Sequence, residues 1–317
     1  MYNKRRSDFD RAKKNAGKGF NQPFIKNYAR ERHTKLKAGE PVMLMDFLLQ
    51  KMGGMSKTSV KNLLAKRRVS VNGSVESQYN FQLNAGDLVE IDSTNSKYKF
   101  SHPKVKIIYE DNYLIAINKD VGLLSVSSPL HEEVTAYKII LNYVKKQNLR
   151  NNLFVVHRID RETSGVLIFA KDFDTQNNIK EHWHDDTHQR YYYALVEGEM
   201  EKDDDTIVSW LTENPKSLKV HNSFFANGGE QAITSYHVVC RKKGMSLLKV
   251  NIKTGRKNQI RVQLSAIGHP IVGDRKYGAT TSPIGRLGLH AASLTIVHPN
   301  TGEPVTFEAP IPKEMHL

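Results

Sequence analysis

The sequence predicts an α+β protein whose larger part is built on an extensive, mainly antiparallel β-sheet. Short runs of apolar residues, some alternating and some continuous, recur from residue 105 to the end of the chain, as strands require. Helical spacing is confined to a few short segments, and turn residues such as Gly, Asn and Asp separate the runs. This mixture favours an α+β class over a regular alternation of strands and helices.

The charge balance points to a polyanionic partner. The 317 residues carry a formal net charge of +14, and residues 1–40 hold 12 Lys and Arg against 4 Asp and Glu. We therefore predict a mostly disordered basic arm over residues 1–40, whose interleaved aromatic residues suit contact with RNA. A helix that forms on binding between Phe24 and Lys37 is an open alternative, and a merely solubilising tail is another.

Several classes of protein are disfavoured by composition. No apolar run approaches the roughly 20 residues that a membrane span needs, and the basic start lacks the apolar core of a secretory signal. The single cysteine excludes an internal disulfide framework and a multi-cysteine zinc site. We expect a cytoplasmic protein, acting as a monomer and without a cofactor.

Residues 41–92 form the first predicted module. Apolar spacing over residues 43–52 predicts a helix, and Ser56 is a plausible N-cap for a second helix over residues 57–66. Asn72 and Gly73 between alternating valines predict a tight hairpin, and a further turn and strand follow. A basic group around the second helix is predicted to contact RNA phosphates, although a solvated charged face is the alternative. Its members are Lys57, Lys61, Lys66, Arg67 and Arg68.

This module resembles the αL RNA-binding module known from a small-subunit ribosomal protein. The resemblance lies in the two helices, the basic connection, the Val-x-Val-Asn-Gly hairpin over residues 69–73 and the Gly-Asp-x-Val over residues 86–89. Residues 93–103 read as a polar linker, and residues 104–317 form the remaining, larger domain.

The larger domain contains a compact polar turn between two apolar runs. Strand–turn–strand signals over residues 105–118 and helical spacing over residues 134–146 precede it. In the turn, Asp160 stands beside Arg158 and Arg161, and neighbouring guanidinium groups favour an ionised carboxylate suited to nucleophilic or electrostatic work. A structural ion pair or Asx turn is the alternative that the local chemistry leaves open.

Residues 157–165, His-Arg-Ile-Asp-Arg-Glu-Thr-Ser-Gly, resemble the His-Arg-Leu-Asp-x-x-Thr-Ser-Gly signature of the RluA-type RNA pseudouridine synthases. The resemblance implies that Asp160 is the catalytic aspartate of an isomerase that converts uridine to pseudouridine in RNA. The αL module often precedes such synthases, so the resemblance also implies ribosomal RNA, most of all that of the large subunit, as the target.

Two further stretches resemble the same family. Residues 254–264 resemble its Thr-Gly-Arg-Thr-His-Gln-Ile-Arg-Val-His-Leu motif, and Asn258 and Gln263 replace the histidines. This match implies that Arg261 pairs with the catalytic acid. Tyr192 occupies the tyrosine position of a basic-x-Tyr-x-Ala-x-Val pattern, and the family implies a catalytic role for it. A tyrosine in such a strand is otherwise an ordinary core residue.

A fourth stretch departs from the family. Lys119 and Gly122 stand where it shows Lys-Pro-x-Gly, but the proline is absent. We assign Lys119, Arg158 and Arg256 to RNA or substrate binding, and the resemblance implies a central cleft where the motifs meet.

The sequence disfavours two other interpretations, a metal site and a hydrolase. A histidine- and aspartate-rich run near residues 182–188 lacks any recognised metal-ligand spacing, so we predict a solvent-facing helix end and no metal. A hydrolase using Ser164 and His157 is disfavoured because no nucleophile elbow surrounds the serine. The competing hypothesis is a catalytically silent RNA-binding or ribosome-assembly factor, which the basic arm favours and the intact Asp160 motif opposes.

Overall fold

A computed structural model describes residues 33–52, 55–92, 100–127, 133–183 and 188–317. These residues fall into two compact units, residues 33–92 and residues 100–317. Most of the predicted basic arm, residues 53 and 54 after the first predicted helix and residues 93–99 of the predicted linker lie outside the described residues.

The first unit packs two helices against small antiparallel sheets. Its four-stranded sheet has the order β1-β6-β3-β4, and a second sheet pairs β2 with β5. The elements are β1 (His33–Lys37), β2 (Val42–Met43), α1 (Leu44–Lys51), α2 (Lys57–Ala65), β3 (Val69–Val71), β4 (Ser74–Val75), β5 (Gln82–Leu83) and β6 (Leu88–Asp92). Both helices lie where the apolar spacing predicts them.

Local signals in this unit are confirmed at two positions. The Ser56 hydroxyl accepts a hydrogen bond from the Ser59 backbone N–H at 3.1 Å, which satisfies a free donor at the start of α2. Asn72 and Gly73 both adopt positive φ, 51° and 82°, which is the backbone that a two-residue hairpin needs.

The prediction of a disordered arm through residue 40 is wrong for residues 33–37. This segment forms β1 and pairs antiparallel with β6 over its whole length. Leu36 packs against the core of the unit and Ala38 is buried within it. One leucine among polar residues carries no periodic signal, so only the β6 partner makes this segment a strand.

The second unit is organised by one mixed sheet of eleven strands with few helices, consistent with the predicted α+β class. The main path runs β13-β12-β14-β15-β11-β16-β10-β8-β7, with β17 paired to β16 and β9 paired to β10. Its strands are β7 (Val105–Glu110), β8 (Leu114–Lys119), β9 (Phe154–Val155), β10 (Ser164–Ala170), β11 (Gln189–Glu197), β12 (Asp204–Glu213), β13 (Val220–Ser223), β14 (Glu230–Lys242), β15 (Met245–Ile252), β16 (Leu289–Val297) and β17 (Pro304–Glu308). All pairings are antiparallel except β10 with β16.

Three helices belong to this unit: α3 (Ala136–Gln147), α4 (Phe173–Glu181) and α5 (Gln259–Ala266). Short 3₁₀ turns occupy Arg275–Tyr277 and Lys313–Met315. Along β11, Ala194 and Val196 pack with Ile260 and Leu264 of α5, whereas Leu195 packs in a different cluster on the opposite face. Strand alternation thus places α5 on the same face of the sheet as Tyr192.

The parallel contact between β10 and β16 depends on a glycine. Gly165 has a φ of +113°, and a Cβ atom there would lie 2.1 Å from the carbonyl oxygen of Ala291. Only glycine permits this approach, which brings the start of β10 against β16 directly after the polar turn. Among the described residues, no helix is long and apolar enough to cross a membrane.

Candidate active site

The turn over residues 157–163 connects β9 to β10, so a strand holds it at each end. Asp160 keeps 28% of its side-chain surface exposed, and its carbonyl accepts the backbone N–H of Thr163 at 3.1 Å. The flanking Ile159 and Thr163 are buried. The turn therefore projects the Asp160 carboxylate from an anchored backbone.

Arg261 on α5 meets this carboxylate. Its Nη1 lies 3.4 Å from Asp160 Oδ2 and donates to Asn258 Oδ1 at 3.2 Å. Its Nε and Nη2 donate to the two oxygens of Asp274 at 2.7 and 2.8 Å, and the Asp274 side chain is 1% exposed. Asp274 therefore holds the guanidinium in a two-pronged ion pair, and the remaining edge faces Asp160.

Tyr277 supports Arg261 from another side. The guanidinium carbon lies 5.0 Å from the centre of the Tyr277 ring, within cation–π range. The Tyr277 hydroxyl accepts a hydrogen bond from Asn258 Nδ2 at 2.9 Å. Asn258, which stands where the family motif has histidine, adopts a left-handed backbone at the start of α5. In this chain the position serves to orient Arg261 and Tyr277.

Tyr192 lies on β11 near the same acid. Burial raises the pKa of its hydroxyl, the positive charge of Arg190 lowers it, and the negative charge of Asp160 raises it further. Tyr192 therefore keeps its proton at neutral pH. Asp160, Tyr192 and Arg261, predicted from three separate motifs, come together at one place.

Arg190 is the basic residue of that tyrosine pattern and is itself buried. Its Nη2 donates to the carbonyl of Lys253 at 2.7 Å, and its guanidinium lies 5.6 Å from the centre of the Trp183 ring. It ties β11 to the segment that leads into α5.

The assignment of Lys119 to RNA binding is wrong. Its side chain is fully buried, and its Nζ donates to the carbonyls of Asp120, Leu123 and Arg161 at 2.9, 2.8 and 3.1 Å. Burial lowers the pKa of Lys119 to about 8. Because all three ammonium donors are used, Lys119 ties the end of β8 to the Asp160 turn instead of reaching RNA.

The segment after β8 makes further bonds to this turn. The Ser125 hydroxyl donates to the carbonyl of Ile159 at 2.7 Å and accepts the N–H of the same residue at 3.2 Å. The Gly122 N–H donates to the carbonyl of Arg161 at 2.9 Å. The turn is thus fixed on both sides of Asp160 although the family proline is absent.

Ser164 bonds to His290 and not to His157, the partner that the hydrolase interpretation would require. Its hydroxyl lies 2.8 Å from His290 Nδ1 and accepts from Arg286 Nη2 at 2.7 Å. Since Arg286 takes the acceptor side, the hydroxyl hydrogen points to His290, whose Nε2 faces the Ala309 carbonyl at 3.2 Å. Burial lowers the pKa of His290 to about 4. With a neutral His290 ring beside the Arg286 guanidinium, this network anchors the start of β10.

His157 is likewise a support. Its Nε2 accepts the backbone N–H of Ile168 at 3.1 Å, and its ring lies 5.0 Å from that of Trp183. Burial lowers the pKa of His157 to about 3, so the ring is neutral near pH 7.

The remaining predicted RNA-binding residues differ in their exposure and in their partners. Arg158 is exposed in the turn itself, whereas Arg256 pairs with Glu230 at 2.7 Å. In the first unit, Lys57, Lys61, Lys66 and Arg67 are exposed and Arg68 is half-buried. Lys61 lies 5.3 Å from the centre of the Tyr79 ring.

Sequence reasoning missed Asp274, Tyr277 and Ser125 as parts of the site. Asp274 ends the Gly-His-Pro-Ile-Val-Gly-Asp stretch that follows the Arg261 motif, and an acid this close to the predicted functional arginine was a usable signal. Tyr277 and Ser125 carried no such signal. The described residues contain no cluster of His, Cys, Asp and Glu placed to hold a metal ion, and residues 184–187 of the histidine-rich run lie outside them.

Comparisons with known proteins agree on one family. The RNA pseudouridylate synthase family model matches residues 113–266. An uncharacterized RNA pseudouridine synthase of Bacillus subtilis, YlyB, is 32% identical over 276 residues, covering 85% of this chain and 90% of that protein. A Nitrosomonas europaea protein named ribosomal large subunit pseudouridine synthase D is 29% identical, covering 84% of this chain and 80% of its own.

A solved structure shows the fold. The human RNA pseudouridylate synthase domain containing 4 aligns with a TM-score of 0.55 at 22% identity, over 66% of this chain and 89% of that one. The family match covers the turn that carries Asp160 and the helix that carries Arg261. The chain therefore belongs to the RNA pseudouridine synthase family, whose members are isomerases.

Proposed function

We propose that this chain converts specific uridines of ribosomal RNA, those of the large subunit above all, to pseudouridine, with Asp160 as the catalytic carboxylate. The observation that carries the proposal is the half-exposed Asp160 carboxylate, 3.4 Å from an arginine that a buried aspartate orients. The name of the Nitrosomonas europaea relative supports the choice of large-subunit RNA.

The reaction breaks the bond between ribose C1′ and uracil N1, turns the base and joins C1′ to uracil C5. It needs no outside reactant. The target base has to leave its stack first, because C1′ and C5 are inaccessible inside a helix. We propose that the nucleotide enters a central cleft on the exposed side of Asp160.

Asp160 has two routes open to it. It attacks C1′ directly, or it removes the 2′ proton to give a glycal. Both require the ionised carboxylate, and the Arg261 guanidinium lies 3.4 Å from it. The contact is long enough for the carboxylate to swing toward ribose without first breaking a short ion pair.

Tyr192 is proposed to stack on the flipped uracil and to assist removal of the C5 proton after rejoining. Its neutral hydroxyl requires help to act as a base. The nearby positive charge of Arg190 opposes the rise in the Tyr192 pKa that burial causes, but the net shift remains upward.

RNA affinity is proposed to come from the remainder of the chain. We assign residues 1–32 to a basic arm, 33–92 to an αL-type module, 93–103 to a linker and 104–317 to the catalytic domain. Exposed Lys57, Lys61, Lys66 and Arg67 of the module, together with Arg158, would contact phosphates. We expect a monomer that needs neither metal nor cofactor.

The test is tritium release from ribosomal RNA labelled at uridine C5. Release by the purified protein supports the proposal, and mapping pseudouridines in RNA from cells lacking the gene identifies the sites. Tight RNA binding without tritium release would instead favour a silent RNA-binding or ribosome-assembly factor.

A further inference from the structure

One edge of the large sheet presents two adjacent aromatic side chains to solvent. Phe224 and Phe225 follow β13, the edge strand, and are 42% and 77% exposed. We call residues 214–229, which comprise β13 and its two flanking loops, the aromatic tip. Leaving two large aromatic side chains in water forgoes the stabilisation that burial gives, and contiguous exposed apolar surface commonly marks a binding site.

A hydrogen-bonded turn fixes the backbone that carries the two rings. The Ser223 hydroxyl accepts the backbone N–H of Phe225 at 3.1 Å and donates to its carbonyl at 2.7 Å. Asn227 Oδ1 accepts the N–H of Gly229 at 3.1 Å on the far side of the loop. The turn therefore pre-organises the aromatic pair outward, which lowers the entropy cost of binding something against it.

The surroundings of the pair are positive. The aromatic tip contains Lys216 and Lys219, both exposed, and its sequence has no acid. The acids at its two borders are already paired, Glu213 with Lys257 and Glu230 with Arg256. The tip thus combines aromatic faces with unneutralised ammonium groups, which suits a flexible polyanion with exposed rings.

Lys276 extends this positive surface from the 3₁₀ turn next to the tip. It is exposed, and its Nζ donates to the carbonyl of Leu218 at 3.1 Å. The tip is thereby fixed to the segment that carries Tyr277.

Hydrogen bonds and ring contacts connect the tip to Asp160. The Val220 N–H donates to the Tyr277 hydroxyl at 3.3 Å, and Lys219 Nζ lies 5.9 Å from the centre of the Tyr277 ring. The Tyr277 ring also contacts the Arg261 guanidinium, whose Nη1 lies 3.4 Å from Asp160 Oδ2. A strand of RNA held at the tip would therefore bind next to the helix that positions the reacting group.

We propose that the aromatic tip binds unpaired nucleotides flanking the target uridine, with Phe224 and Phe225 stacking on their bases and Lys216 and Lys219 contacting their phosphates. Single-stranded or loop RNA fits this surface, because base faces are accessible only when unstacked. The inference rests on the proposed function, since it places the tip beside the reacting uridine.

The experiment compares the wild type with Phe224→Ala/Phe225→Ala and with Phe225→Ala alone. The probes are a labelled RNA hairpin whose loop holds unpaired uridines and a fully paired duplex of equal length. Because stacking contributes to binding at each base, we expect the hairpin Kd to rise at least about fivefold in the double variant, with duplex affinity unchanged. Phe173→Ala, which removes another exposed aromatic side chain of the same unit, is the matched control.

Salt dependence separates stacking from charge. Between about 50 and 200 mM salt, the slope of log Kd against log salt should be unchanged in the aromatic variants and should fall in Lys216→Gln/Lys219→Gln, because only phosphate contacts release counterions. Phe225→Trp should retain hairpin affinity. Neither the salt slope nor the hairpin affinity depends on catalytic turnover.

Three outcomes would overturn the inference: unchanged hairpin affinity, equal loss for hairpin and duplex, or a changed oligomeric state without a change in RNA binding. The last result would make the tip a surface for a second copy of the chain. If the wild type released no tritium, the proposed function would fail, yet the hairpin comparison would still decide whether the tip binds unpaired RNA.

Discussion

Arg261 is bound more closely to Asp274 than to Asp160. Two of its nitrogens lie 2.7 and 2.8 Å from the Asp274 carboxylate, whereas the third lies 3.4 Å from Asp160. Asp274 therefore fixes the guanidinium and largely balances its charge. Asp160 remains the more weakly held carboxylate and so is the one free to act on a substrate.

Replacing Asp274 by Asn should lower turnover about 10- to 100-fold and destabilise the fold by about 3 kcal/mol, because a buried ion pair loses one partner. Tritium release and urea unfolding measure the two effects. Glu314→Gln, which alters the half-exposed partner of Arg286, is the control. Wild-type turnover in Asp274→Asn would contradict the orienting role.

Asp160→Asn should abolish turnover and leave RNA affinity within about twofold, since affinity comes mainly from phosphate contacts. Single-turnover tritium release and filter binding give the two values. Glu162→Gln, an exposed acid of the same turn, should stay active. Residual turnover in Asp160→Asn near the wild-type rate would exclude Asp160 as the reacting group.

Lys119→Met should lower kcat at least about tenfold with little change in KM. The substitution removes the Lys119 donor from the carbonyls of Asp120 and Leu123 and one of two donors from that of Arg161, and each buried unsatisfied group costs about 1–3 kcal/mol. Steady-state kinetics separate the two parameters, with exposed Lys106→Met as control. A rise in KM with unchanged kcat would instead support a role of Lys119 in substrate binding.

Gly165→Ala should destabilise the protein by at least about 2 kcal/mol more than Gly278→Ala. Both glycines have positive φ, but a Cβ at 165 would lie 2.1 Å from a carbonyl oxygen, whereas nothing lies within 4 Å at 278. Urea unfolding of both variants isolates the steric contribution. Equal losses in the free energy of unfolding would show that β10 and β16 can move apart at 165 without a measurable energetic cost.

His157 should make the protein more acid-sensitive. Its pKa is about 3 in the folded chain and about 6.5 when unfolded, so the unfolded state takes up a proton that the folded state refuses. The free energy of unfolding should therefore fall as pH drops from 6.5 toward 3, by up to about 1.4 kcal/mol per pH unit. His157→Gln should flatten this dependence, and exposed His221→Gln should leave it unchanged.

The local elements that carry the site follow from patterns in the amino-acid sequence. Apolar runs on both sides of a polar turn predicted β9 and β10 around Asp160, and strand alternation placed Tyr192, Ala194 and Val196 on one face of β11. The sequence also supplied the resemblance that named Arg261. These signals are readable because a strand or a turn depends mainly on neighbouring residues.

The family resemblance implied that Arg261 pairs with Asp160, but the supports of this pair, Asp274 and Tyr277, emerged from the folded structure. Asp160 and Arg261 are 101 positions apart, and Ser164 and His290 are 126 apart. Lys119 looked like a surface cation because its burial depends on a turn more than 40 residues away. Contacts of this kind form only when the sheet brings distant strands together, and no local pattern in the chain encodes them.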